Sequence, residues 1–160
     1  MKFHESSEFI KNLDSYLFNP NASASSYLKT NKSRIPLVFR SCNKTLYRGV
    51  FLSDEERKLL DVGKFRFDRV TSWTKDLSIA ESFLRDAKYK IQNKKNVHVV
   101  LKKNFQVNDI IIDIDAYVQF YGEKKLLEMG FDDLNIDSAM KEKEVLVMPI
   151  VIKRAEYKTI

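Results

Sequence analysis

The chain has little with which to cross-link, chelate or span. Only one of its 160 residues is a cysteine, Cys42, so no internal disulfide can form and no thiol pair can hold a metal. The two histidines, His4 and His98, lie far apart in sequence and make no ligand cluster. The longest apolar run, Val145 to Ile152, is much too short for a bilayer, and the polar start with His4, Glu5 and Glu8 does not read as a signal peptide. Internal repeats and low-complexity tracts are also missing. The expectation is a protein of a reducing, cytoplasmic setting, with no metal and no membrane.

What is present suits a single compact unit. With 44% hydrophobic and 31% charged residues, the 160-residue chain can bury a core of its own, and one domain over residues 1–160 is expected. Its formal charge of +6 comes from 28 Lys+Arg against 22 Asp+Glu and is unevenly spread. Lysines crowd Lys88 to Lys103, whereas Asp109 to Asp137 is acidic. No Phe, Tyr or Trp lies between Lys90 and Lys103, where a single-strand-binding surface would interleave stacking rings, so nucleic acid is not the favoured partner.

Periodicity places a helix over residues 6–18, through Phe9, Ile10, Leu13 and Leu17, ended by Asn19-Pro20. A short helix or ordered loop over 21–33 completes an N-terminal helical part of about 1–36, ahead of a core of about 37–160. Extended segments are expected at Leu37–Arg40 and Lys44–Val50, and a capped helix at Asp54–Leu60 after Ser53. Phe65–Trp73 reads as one strand, Asp76–Lys90 as a helix capped by Asp76, and Tyr117–Met129 as a helix ended by Gly130. Val97–Leu101, Asp109–Ile114 and Glu144–Ile152 are rich in Val and Ile and read as strands. Strands without regular βα alternation point to an α+β domain.

Three short motifs carry the chemistry. Arg48, between Tyr47 and Gly49, offers a planar fork suited to phosphate oxygens, and Gly49 lets a flat ligand approach the main chain. Ser72 and Thr74, on either side of Trp73, sit where a strand meets a helix and can hydrogen-bond a carboxylate. Glu142 and Glu144, two apart at a strand entrance, would share one face at about 6–7 Å. Each motif alone also reads as ordinary structure: an ion-paired arginine, strand hydroxyls, exposed charge. Trp73 reads as core, Phe83 as packing for the helix, Cys42 as an indifferent thiol and His98 as outward-facing.

Taken together and in order, Leu46-Tyr47-Arg48-Gly49, then Ser72-Trp73-Thr74 with Ala80 and Phe83 downstream, then Glu142-Lys143-Glu144-Val145-Leu146, the chain resembles the Arg, S-T-S, E-x-E class of mono-ADP-ribosyltransferases. Within that class it looks most like the small T-even-type phage enzymes of the Alt and Mod group. The resemblance covers about residues 44–152. It implies an ADP-ribosyltransferase-like fold, with mixed, mostly antiparallel sheets around a cleft for NAD.

The resemblance also implies roles. Arg48 would hold the phosphates of NAD, the Gly49 main chain would hold the nicotinamide carboxamide, and Tyr47, Ser72, Thr74 and Glu144 would complete the NAD contacts. Glu144, oriented by Ser72, would sit beside the reacting ribose carbon, and Glu142 would accept a proton from an incoming guanidinium. Glu at this first position goes with arginine acceptors in the family. The implied partner is a protein with an exposed arginine, part of host transcription or translation machinery if the chain is phage-encoded. Independently of the resemblance, the acidic stretch with Asp132, Asp133 and Asp137 would help attract a basic target surface. An NAD glycohydrolase, a transferase acting on RNA or DNA, and a catalytically silent domain binding through Lys88–Lys103 remain open.

Overall fold

In the computed structural model, which describes residues 6–86, 95–153 and 156–159, helices and an antiparallel sheet divide along the chain as an α+β domain. Helix α1 (Ser7–Phe18) starts where Ser6 accepts from the Phe9 N–H, and α2 (Ala22–Thr30) where Asn21 does the same for Ala24. The buried stripe of α1 is Phe9, Ile10, Leu13 and Tyr16; Leu17 is only partly buried, so Tyr16 takes the fourth place that periodicity gives to Leu17. Leu37–Phe39 is a 3-10 turn rather than a strand. It buries Phe39 alone and leaves Leu37 and Val38 in water, which no two-residue alternation produces.

Strand β1 (Leu46–Leu52) leads through a full capping box, Ser53 with Glu56, into helix α3 (Asp54–Asp61). The apparent single strand at 65–73 is two: β2 (Phe65–Phe67) and β3 (Thr71–Thr74), which belong to different sheets. Helix α4 (Leu77–Arg85) starts at the Asp76 cap; residues 87–90 of the expected helix lie outside the described residues, as do Lys88, Lys90 and Lys94 of the basic stretch. Strand β4 (Val97–Lys103) follows. Strand β5 (Ile110–Asp113) ends one residue earlier than expected, because Asp113 accepts from the Ala116 N–H and starts helix α5 (Ile114–Tyr121).

Gly122, with φ 80°, breaks the helix expected over 117–129 into α5 and α6 (Glu123–Met129), and Gly130 at φ 107° ends α6. Helix α7 (Asp133–Glu142) carries no clean apolar stripe in sequence, since Leu134 and Met140 face water while Ile136 and Ala139 are buried. The expected strand 144–152 is likewise two, β6 (Glu144–Val147) and β7 (Ile150–Ile152), separated at Met148-Pro149. Strand β8 (Glu156–Thr159) closes the order.

Six strands form one sheet in the order β5-β6-β3-β1-β4-β8, every pairing antiparallel, and β2 and β7 form a second, two-stranded one. Alternation along the strands sorts the core. On one face α1, α2 and α5–α7 cover Leu146 and Ile112, while α4 covers Phe51 and Val100. The other face buries Leu46, Trp73, Val145 and Val147 against Phe65 and Ile152 of the small sheet. Between the two helical covers, the sheet itself splits. Strands β1 and β4 pair over seven residues, but β1 and β3 register only at Tyr47 and Thr74. Among the described residues, no helix is long and apolar enough to cross a membrane.

Candidate active site

The split between β1 and β3 opens a cleft of about 240 Å³, lined by Arg48, Gly49, Ser72, Trp73, Thr74, Ile79, Ala80, Phe83, Glu142 and Glu144. Six of the seven residues singled out from sequence therefore face one hollow. Tyr47 does not; it lines a neighbouring hollow with Leu77, Val100, Lys102 and Lys158. Ile79 is a wall residue that no motif announces.

Arg48 reaches the cleft through the split. Its Nη1 donates to the Ser72 carbonyl at 2.6 Å, a main-chain group that a continued β1–β3 ladder would have taken, and its guanidinium lies 5.5 Å from the Phe67 ring centre. Burial lowers the Arg48 pKa, yet a guanidinium stays cationic at any ordinary pH. Among the described residues, the Nε of Arg48 is buried without a partner. A buried donor without a protein partner is uncommon and sets this arginine apart from an ordinary ion-paired one.

Ser72 works through two atoms. Its carbonyl accepts from Arg48 and its side chain hydrogen-bonds the Glu144 carboxyl. Burial pushes Glu144 up to about 7; the Ser72 hydrogen bond pulls it down, the neighbouring Glu142 pushes it up, and Arg48 pulls it down. Glu142 is raised too, first by the partial loss of water around its carboxyl at the cleft although the residue as a whole is exposed, with a Ser138 hydrogen bond opposing. Two carboxyls with raised pKa values beside a cation are the pattern of a site with acid-base or electrostatic work to do.

The two glutamates meet for a reason other than strand alternation. Glu142 ends α7, Glu144 begins β6, and Lys143 between them adopts φ 48°, the single left-handed non-glycine among the described residues. A helix end, a left-handed turn and a strand start bring both to the cleft. Thr74, expected to contact a cofactor, lines the cleft, donates through Oγ1 to the Glu142 carbonyl at 2.6 Å and accepts from the Asp76 N–H. On Gly49, a Cβ would meet the Ala80 carbonyl at 2.7 Å and Leu84 Cγ at 2.9 Å, so the missing side chain admits helix α4.

Tyr16, on α1, is a site neighbour that the motifs miss. It is buried, its hydroxyl donates to the Val70 carbonyl at 2.5 Å, and its electrostatic neighbours include Arg48 and Glu144. Burial lifts its pKa to about 12, so it stays a neutral donor. Its burial is legible from the helical stripe, three residues after Leu13, but its place beside the site is not. Among the described residues no cluster of three or more His, Cys, Asp or Glu could hold a metal ion. Compared with protein-family models, curated proteins and solved structures, the chain matches none of them.

Proposed function

We propose that the protein is an NAD:protein-arginine mono-ADP-ribosyltransferase. The observation that carries this reading is the half-buried Glu144 carboxyl held by the Ser72 side chain, in one cleft with an Arg48 whose Nε has no partner among the described residues. The fit to NAD rests on that donor set. Arg48 supplies positive charge for phosphate oxygens, and the Gly49 main chain lies beside it for a carboxamide. At about 240 Å³ the cleft takes the nicotinamide-ribose end and leaves the rest of the dinucleotide along its mouth.

The chemistry asked of the residues is modest. The bond between ribose C1′ and the nicotinamide nitrogen breaks, and its electron pair leaves with the neutral base. Ionised Glu144, fixed by Ser72, stabilises the positive charge that grows on the ribose. A guanidinium nitrogen of the target arginine then bonds to C1′, and its proton passes to the Glu142 carboxylate and on to solvent. Glu142 is exposed at the end of α7, where a side chain from another protein can reach it.

The test is incubation of the chain with NAD labelled in its adenylate half and a bacterial lysate. The expected outcome is labelled protein, with ADP-ribose placed on arginine by mass spectrometry. Nicotinamide release without labelled macromolecule would make the chain a glycohydrolase, and label on RNA or DNA would move the acceptor to nucleic acid. No nicotinamide release at all would remove the reading.

A further inference from the structure

Val70, the residue directly before β3, has both main-chain polar groups taken by side chains of the N-terminal helices. Its carbonyl accepts from Tyr16 on α1 at 2.5 Å, and its N–H donates to Ser25 Oγ on α2 at 3.3 Å, both bonds buried. Tyr16 and Ser25 are 4% and 7% exposed, so neither hydroxyl can exchange its partner for water without opening the fold. Two residues further on, the Ser72 carbonyl accepts from Arg48. Since β1 and β3 pair at one position only, this edge of β3 has lost its ladder. Three side chains from outside β3 replace it: Tyr16, Ser25 and Arg48.

From this we infer that Tyr16 and Ser25 are positioning residues, and that the N-terminal helical pair sets the geometry of Ser72 against Arg48 and Glu144 rather than serving as a detachable cover. The physical argument is one of stiffness. An extended chain transmits a shift at residue 70 to residue 72 almost undiminished, and Ser72 is bonded both to Arg48, through its carbonyl, and to Glu144, through its side chain. Groups facing Glu144 are Tyr16 from α1, Arg48 from β1, Ser72 from β3 and Glu142 from the end of α7. Loosening Val70 disturbs the second and third of these together. The inference rests on the proposed reaction for its kinetic readout and on geometry alone for its titration readout.

The experiment compares wild type with Tyr16→Phe, Ser25→Ala and Ile10→Val. The first two remove a hydroxyl from Val70. Ile10→Val thins the same helical core, leaves both hydroxyls in place and serves as the structural control. The Glu144 carboxyl is titrated by carbon-13 NMR, assigned by its loss in Glu144→Gln, and NAD cleavage is measured alongside. Expected are a Glu144 midpoint above the wild-type value in Tyr16→Phe and Ser25→Ala, a wild-type midpoint in Ile10→Val, and a fall in kcat of about 10- to 100-fold in Tyr16→Phe with KM little changed. A wild-type midpoint in both hydroxyl variants, with thermal stability lowered as in the control, overturns the inference. If wild type cleaves no NAD, the proposed reaction falls while the titration still decides the role of Tyr16 and Ser25.

Discussion

Thr74 Oγ1 donates to the main-chain carbonyl of Glu142 across 2.6 Å, so the strand that carries Ser72 also holds the end of the helix that carries Glu142. The same oxygen accepts the Asp76 N–H, and the next residue's N–H, from Lys75, donates to the Lys143 carbonyl at 3.3 Å. Lys75 is itself fixed by Asp113 at 2.8 Å and Asp115 at 3.0 Å. Thr74→Val keeps the shape and strands two part-buried main-chain groups; it should cost about 1 kcal/mol in a denaturant melt, with Thr74→Ser close to wild type. Transfer to arginine should fall further than NAD hydrolysis, because Glu142 moves more than Glu144. Equal falls in both would show that the Thr74 hydrogen bond does not place Glu142.

Glu144 links function to pH. The acid limb of kcat/KM for NAD cleavage should have its midpoint near 7, since the carboxylate form is needed and burial holds the group protonated below that. The stability effect has the opposite sense. Unfolded, the carboxyl titrates near its ordinary 4.5 and in the fold at about 7, so between those values the native state binds more protons and stability falls as pH rises. Glu144→Gln should therefore melt higher than wild type at pH 8, by about 1–3 kcal/mol once partial solvent access is allowed for, and match it near pH 4. A variant no more stable at pH 8 than at pH 4, relative to wild type, would mean that the carboxyl is not strained by burial.

How far the sequence reached depends on the range of the interaction involved. The strand at Val97–Lys103 and the capped helices after Ser53 and Asp76 are set by neighbours in the chain, and composition shows them. The partition of Phe65–Trp73 and Glu144–Ile152 between two sheets is set by β2 pairing with β7 and β3 with β6, contacts that no local pattern records. At the site, residue types and order brought Arg48, Ser72, Glu142 and Glu144 to one cleft, but the reasons differ from the strand rule. Glu142 arrives by a left-handed Lys143 and Arg48 through a split between strands, both consequences of tertiary packing. Tyr16 was illegible as a site residue because its partner is a main-chain carbonyl 54 positions away.

Gly49 is required by α4 rather than by a ligand alone. Gly49→Ala should push the helix off β1, since a Cβ would sit 2.7 Å from the Ala80 carbonyl and main chain yields less than a side-chain tip. A loss of about 1–3 kcal/mol is expected from overpacking, together with weaker NAD binding as Ala80 and Phe83 shift in the cleft wall. Thermal denaturation and NAD titration calorimetry read the two effects. Wild-type stability with wild-type affinity would contradict this account of the close approach.

The acidic residues ahead of Glu142 divide by what else they do. Asp132 caps α7 through the Leu134 and Asn135 N–H groups and Asp137 pairs with Lys141 at 2.9 Å, while Asp133 stands in the first turn of α7, exposed. Long-range attraction of a basic target is then tested with Asp133→Asn and Asp137→Asn together, leaving the cap intact. Labelling of the target should become less salt-dependent between low and physiological ionic strength, with NAD hydrolysis unchanged. An unaltered salt slope would assign these charges to helix structure and solubility.

The sharpest division of labour lies between the two glutamates. On the proposed reaction, Glu144→Ala should abolish nicotinamide release altogether, because it removes the carboxylate assigned to the growing positive charge and leaves the Ser72 side chain without its partner. Glu142→Ala leaves that machinery in place and removes an exposed carboxyl at the helix end, so hydrolysis of NAD should continue while transfer to arginine is lost. The contrast is read by nicotinamide release and target labelling in the same reaction, with circular dichroism confirming the fold. It depends on Glu142 meeting the acceptor and Glu144 meeting the sugar. A Glu142→Ala protein that loses both activities to the same degree, correctly folded, would place Glu142 in the cleavage step itself and remove its proposed role as acceptor of the guanidinium proton.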